Sequence, residues 1–167
     1  MFYRIFIAIE LPDSTRKELC AFNEIWSELP VRWTGEQNLH VTLEFLGNVN
    51  EETLKEVIDR VSKIGERNSK VEIHIEKIAY GPPKEIPRYI WAYITPSDNL
   101  MNLSRELNLT EFIPHITLAR IDKMEFNRME TPIINEYIDI VFPVSAISIM
   151  ESKKGSDYTA LKRIELK

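Results

Sequence analysis

Two pentapeptides lying far apart in the chain, Leu39-His40-Val41-Thr42-Leu43 and Pro114-His115-Ile116-Thr117-Leu118, share the pattern His, β-branched residue, Thr, Leu. The first belongs to a run, LHVTLEFL at 39–46, that alternates along its whole length. Leu39, Val41, Leu43 and Phe45 fall on one face of an extended strand, and His40, Thr42 and Glu44 on the other. Each pentapeptide is therefore expected to be a half-buried strand that turns an imidazole and a hydroxyl away from the core on a rigid backbone. With nine threonines in the chain, Thr two places after two of the three histidines has a chance on the order of one in a hundred. Such a duplication constrains the fold to two similar units.

The rest of the chain reads the same way. FYRIFIAI at 2–9 has the composition of a strand, and Pro12, Asp13 and Ser14 lead into a helix from about 13 to 28. That helix carries Leu19, Phe22, Ile25, Trp26 and Leu29 on one stripe, and Pro30 ends it. A turn is expected at 47–50. Leu54, Val57, Ile58, Val61 and Ile64 mark a second helix that stops at Gly65, and 70–80 alternates as a strand. GPPKEIP at 81–87 is an exposed loop and the expected boundary between halves. A strand at 89–95, a short helix near 98–107 and a strand at 113–121 then repeat the order of the first half. Two further strands, 138–151 and 157–166, form a hairpin around KKGS at 153–156. The expected fold is α+β, with residues 1–167 forming a single domain of two pseudo-symmetric lobes. Each lobe is an antiparallel sheet backed by helices, and an active-site cleft lies between them.

Composition narrows the function classes. With 167 residues, 44% hydrophobic and 28% charged, the chain has the balance of an ordinary globular domain. The N-terminal apolar run is short, holds Arg4 and closes at Glu10, so it reads as neither a signal peptide nor a membrane span. A cytoplasmic protein with no membrane partner is expected, and a monomer. The single cysteine, Cys20, excludes an internal disulfide, and three histidines without clustered Cys/His spacing form no recognisable metal site, so no metal and no cofactor is expected. A net charge of −5 argues against tight binding to long nucleic acid but leaves room for a short RNA end.

If the two strands face each other across a pseudo-twofold axis, two imidazoles and two hydroxyls surround a cavity that suits one phosphate. Opening a cyclic phosphodiester needs a base to take a proton from water and an acid to protonate the departing ribose oxygen. Histidine serves as either near neutral pH, and the hydroxyls of Thr42 and Thr117 can donate to the nonbridging oxygens. His74, between Glu72 and Glu76, reads as a surface histidine. Trp33, Tyr89, Trp91 and Tyr158 could stack on an RNA base or fill the core, and Lys153 and Lys154 read as a solvated turn.

These paired motifs resemble the two-histidine (2H) phosphoesterase superfamily, in particular its RNA 2′,3′-cyclic phosphodiesterase branch, once described as 2′-5′ RNA ligases. The resemblance extends to 4–19, 31–49, 112–120 and 147–161, in matching order. It implies hydrolysis of RNA 2′,3′-cyclic phosphate ends to a 2′-phosphate, with His40 as proton donor to the leaving 3′ oxygen and His115 as proton acceptor. It further implies Thr42, Thr117 and Arg120 as phosphate-binding residues, RNA ends such as tRNA fragments as partner, and reversible 2′-5′ ligation as a secondary activity. Strict alternation puts Arg120 on the face opposite His115 unless the strand bends. Where family members often carry a basic residue just after the first motif, this chain has Glu44 on the His40 face, and its segment 97–112 is short. A non-catalytic RNA-end binding protein and a phosphodiesterase for small cyclic nucleotides are the alternative readings.

Overall fold

The computed structural model describes residues 1–154 and 157–167. Its nine strands are β1 (Phe2–Glu10), β2 (Val31–Trp33), β3 (His40–Asn50), β4 (Val71–Gly81), β5 (Tyr89–Ile94), β6 (His115–Ile121), β7 (Asn135–Val144), β8 (Ala146–Ser152) and β9 (Tyr158–Glu165). All pair antiparallel in one sheet of order β7-β4-β5-β6-β3-β1-β8-β9, with β2 along the free part of the β6 edge. The helices are α1 (Asp13–Cys20), α2 (Phe22–Ile25), α3 (Glu51–Arg67), α4 (Asp98–Glu106) and α5 (Lys123–Phe126), with a 3-10 turn at Glu36–Asn38.

The two expected lobes are present as the two halves of this sheet. β9-β8-β1-β3 and β7-β4-β5-β6 meet at a narrow join, the β3–β6 pair Val41↔Ile116. Around that join β1, α1 and β3 correspond to β5, α4 and β6. The boundary between lobes is not the proline loop at 81–87. β4 and β5 pair directly across that loop, with Tyr80 opposite Ile90 and Gly81 opposite Tyr89, so it closes a hairpin inside one lobe. The chain crosses instead between α3 and β4, and returns between β7 and β8. For the same reason 138–151 is two strands. β7 pairs with β4, β8 pairs with β1, and the change of lobe falls at Ser145. The β8–β9 hairpin is present, with Lys153 and Lys154 exposed, whereas Gly155 and Ser156 lie outside the described residues.

One sheet face is packed by the helices, and there lies the core: Ile5, Ile7 and Ile9 of β1, Val41 and Leu43 of β3, Ile73, Ile75 and Ile78 of β4, and Val61 and Ile64 of α3. α3 starts where the Asn50 side chain accepts a hydrogen bond from the Thr53 amide at 2.8 Å. It continues past Gly65 to Arg67. A Cβ on Gly65 would lie 2.7 Å from the Glu165 carbonyl oxygen and from the Ile164 side chain, so this glycine serves close packing on β9 rather than a helix stop. The expected helix over 13–28 breaks after Cys20. Leu19 is buried, but Ile25 is exposed, because the chain must turn at Trp26 to enter β2.

The expected turn at 47–50 is strand. β3 runs on to Asn50 through two bulges, at which Leu43 and Leu46 have no partner of their own on β1. The first bulge inverts the side-chain alternation, because one extra residue shifts everything beyond it by one face. Thr42 is opposite Ala8, Glu44 opposite Ile7 and Phe45 opposite Phe6. Glu44 therefore points to the helical face, where its carboxylate accepts from Arg60 of α3 at 2.8 Å. Phe45 turns to the His40 side and is 58% exposed. This corrects both positions read from strict alternation.

Candidate active site

Antiparallel register through Val41↔Ile116 sets His40 level with Thr117, and Thr42 level with His115, on the sheet face away from the helices. These four side chains, with Thr34, Asn38 and Tyr158, line a cavity of about 220 Å³. The structure thus brings together both histidines and both threonines. Thr34 and Asn38 come from the connection between β2 and β3, which carries no motif of its own.

Each imidazole is oriented by the same device. His40 Nδ1 lies 2.6 Å from the Asn38 carbonyl oxygen, and His115 Nδ1 lies 2.7 Å from that of Ile113. A carbonyl only accepts, so each Nδ1 carries the proton, and Nε2 of the neutral ring is left as a lone pair. His40 Nε2 is 2.9 Å from Thr42 Oγ1, which donates to the neutral ring and accepts from the charged one. Burial lowers the pKa of His40 below the ordinary 6.5. The Asn38 carbonyl opposes this, and the nearby His115 and Arg16 reinforce it. Burial also lowers His115, opposed by the Ile113 carbonyl.

The two rings differ in what flanks them. Trp91 stacks face to face on His115, with ring centroids 3.6 Å apart and an interplanar angle of 14°. Trp91 is in turn held against Gly81, whose missing side chain leaves room for the indole. His40 instead meets Tyr158 edge-on at 5.3 Å and a tilted Phe6 at 5.0 Å. Of the four aromatics considered for base stacking, Trp91 is thus a support for a histidine and is 7% exposed. Tyr89 stacks on Trp91, Trp33 packs partly against the core, and Tyr158 lines the cavity. His74 stands apart, paired to Asp139 at 2.8 Å on the surface.

Arg120 reaches the site face because β6 bends. On β5, Ile90 is opposite Ala119 and Trp91 opposite Thr117, leaving Leu118 as the extra residue of a bulge. Beyond it Arg120 is opposite Tyr89 on one side and Arg32 on the other. Arg120 does not line the histidine cavity. It lines, with Arg32, a neighbouring surface hollow of about 510 Å³.

Two oriented imidazoles and two hydroxyls around one small cavity, carried on paired strands of a pseudo-symmetric antiparallel sheet, define a two-histidine phosphoesterase. Residues 9–91 match the family model described as LigT like Phosphoesterase. The chain is 29% identical over 151 residues to an RNA 2′,3′-cyclic phosphodiesterase of Methanocaldococcus jannaschii, covering 83% of each chain. It is 26% identical over 154 residues to one of Aquifex aeolicus, covering 81% of each. Among solved structures it is similar to E. coli LigT complexed with phosphate, with a TM-score of 0.82, 25% identity and 99% and 98% of the two chains covered. It shares its fold with TT0787 of Thermus thermophilus, with a TM-score of 0.83, 23% identity and 98% and 97% covered. The chain belongs to the LigT-like phosphoesterase family. Among the described residues no helix is long and apolar enough to cross a membrane.

Proposed function

We propose that this chain hydrolyses RNA 2′,3′-cyclic phosphate ends to 2′-phosphomonoesters, with His115 as base and His40 as acid. The observation that carries this reading is the matched pair of imidazoles, each with Nδ1 tied to a backbone carbonyl, both lining the shared cavity, where Nε2 of His40 meets the Thr42 hydroxyl. His115 Nε2 takes a proton from water as the water oxygen bonds to phosphorus. The bond from phosphorus to the 3′ oxygen breaks, and that oxygen takes the proton from Nε2 of charged His40. Exchange with solvent then restores both rings. Thr42 and Thr117, level with the opposite histidines, donate to the nonbridging oxygens. Arg120, one bulge beyond Thr117, adds positive charge at the rim. With an RNA 5′-hydroxyl in place of water, the same displacement forms a 2′-5′ linkage, the 3′ oxygen again leaving with the proton from His40.

The RNA partner, a single protein chain at work and a cytoplasmic setting belong to the same reading. Its test is to incubate the protein in excess EDTA with an RNA ending in a 2′,3′-cyclic phosphate and identify the product. A 2′-phosphate is expected, at a rate EDTA leaves unchanged. A 3′-phosphate would exchange the roles of the two histidines, and loss of activity with chelator would sink the two-histidine mechanism.

The pH dependence follows from the same geometry. Activity on free substrate requires neutral His115 and charged His40, so kcat/KM rises as His115 loses its proton and falls as His40 does. Because burial lowers both groups, both limbs move toward acid, and the maximum is expected below about pH 6.5. A profile measured from about pH 4 to about pH 9 checks this. A plateau extending well above neutrality would contradict it.

A further inference from the structure

Arg32 and Arg120 are directly opposite each other across the β2–β6 pair, and both are exposed. Like charges opposite each other on neighbouring strands repel and weaken the pairing, so two guanidiniums in this register call for a counter-charge. The hollow of about 510 Å³ that they line also holds Asp122 and Glu125, but both carboxylates are engaged elsewhere. Asp122 Oδ1 accepts from the Met124 and Glu125 amides at 3.0 and 3.2 Å, and Glu125 pairs with Arg128 at 2.8 Å. Among the described residues neither Arg32 nor Arg120 makes an ion pair. We infer that these two guanidiniums form a second phosphate subsite, which takes the 5′ phosphate of the terminal nucleotide, the phosphodiester that joins it to the rest of the RNA.

The strand register places this pair next to the reacting phosphate. Thr34 lines the histidine cavity, and its amide extends the β2–β6 pairing by donating to the Leu118 carbonyl at 2.8 Å. Arg32 comes two residues before Thr34, on the same face and about 6.6 Å away along the strand. On β6, Arg120 follows Thr117, which is level with His40. The inference rests on the reading of His40 as the acid. If His40 protonates the departing 3′ oxygen, the ribose lies on the His40 side of the reacting phosphate, and Arg32 and Arg120 stand beyond it on that side. A ribose separates the 2′ phosphate of a nucleotide from its 5′ phosphate, and a step of two strand residues spans that interval. A planar guanidinium grips a phosphate through paired N–H donors. A substrate without a 5′ phosphate leaves the two guanidiniums facing each other, so the site favours RNA ends over small cyclic nucleosides.

The test uses the whole chain and two probes that differ by one group, a nucleoside 2′-monophosphate and the corresponding nucleoside 2′,5′-bisphosphate. Both are titrated calorimetrically into wild type, Arg32→Ala, Arg32→Lys and Arg32→Glu. Since Arg32 is exposed, all four should fold alike, as thermal melts would verify. Wild type is expected to bind the bisphosphate about five- to twenty-fold more tightly than the monophosphate, a preference that shrinks as salt is raised. Arg32→Ala should lose most of that preference, Arg32→Lys should keep part of it, and Arg32→Glu should reverse it. No preference in wild type, or a preference indifferent to the charge at residue 32, would overturn the subsite. In turnover, the advantage in kcat/KM of a dinucleotide ending in a 2′,3′-cyclic phosphate over the cyclic mononucleotide should narrow in Arg32→Ala. Because neither binding probe reacts, a charge-dependent preference in a protein that opens no cyclic phosphate would uphold the subsite and discard only the reaction.

Discussion

His115→Ala is expected to lower kcat on an RNA 2′,3′-cyclic phosphate by about a thousand-fold or more, with substrate affinity changed only modestly. The ring supplies the lone pair that takes the water proton, and Thr117, Thr42 and His40 remain to hold the phosphate. His40→Ala is expected to cost as much, since an unassisted ribose alkoxide is a poor leaving group. Joining the two substitutions should cost little more than either, because acid and base act as a unit in one displacement. Single-turnover assays with product separation, beside equilibrium binding, would measure all three. A His115→Ala protein within tenfold of wild type would remove this ring from the chemistry.

Gly81→Ala is the second substitution with a large expected effect, although residue 81 carries no functional group. An added Cβ would overlap the Trp91 ring, reaching Cγ at 2.6 Å and two further ring carbons more closely still. The indole cannot yield toward solvent without leaving His115, on which it is stacked at 3.6 Å. Relief by moving Trp91 therefore displaces the base. Overpacking of this kind costs about 1–3 kcal/mol of stability. A misplacement near 1 Å at the reacting group lowers kcat on the order of a hundred-fold. Trp91→Phe placed on Gly81→Ala makes room for the methyl and is expected to recover part of both losses, a coupling that a double-mutant cycle would read as non-additivity. If Gly81→Ala lowered the melting temperature and left kcat untouched, the support of His115 by Trp91 would be a matter of stability alone.

Much of this was legible beforehand. The duplicated motif required two similar units, and the alternation around it fixed which side chains leave the core. Both hold in the structure for His40, Thr42, His115 and Thr117 because each lies on the regular stretch of its strand, next to the Val41↔Ile116 join. Alternation failed beyond those stretches. Glu44, Phe45 and Arg120 each follow a bulge, and a bulge depends on how two distant strands settle their register and twist rather than on the residues of one strand. The proline loop misled for a related reason. A cluster of prolines marks a place where regular structure stops, but not whether the strands on either side pair with each other.

The sequence by itself determined the chemical groups of the site, the pairing of imidazole with hydroxyl two places apart, and an α+β fold built from two similar lobes. These follow from local periodicity, which is written in neighbouring residues. Only the tertiary structure decided that the lobes exchange strands, with β8 and β9 completing the first and β4 the second. It alone set Trp91 against His115, turned Glu44 to Arg60, and brought Phe45 and Arg4 to the edge of the cavity. Those outcomes depend on contacts between residues remote in the chain, where packing and register choose among arrangements that the local pattern leaves equal.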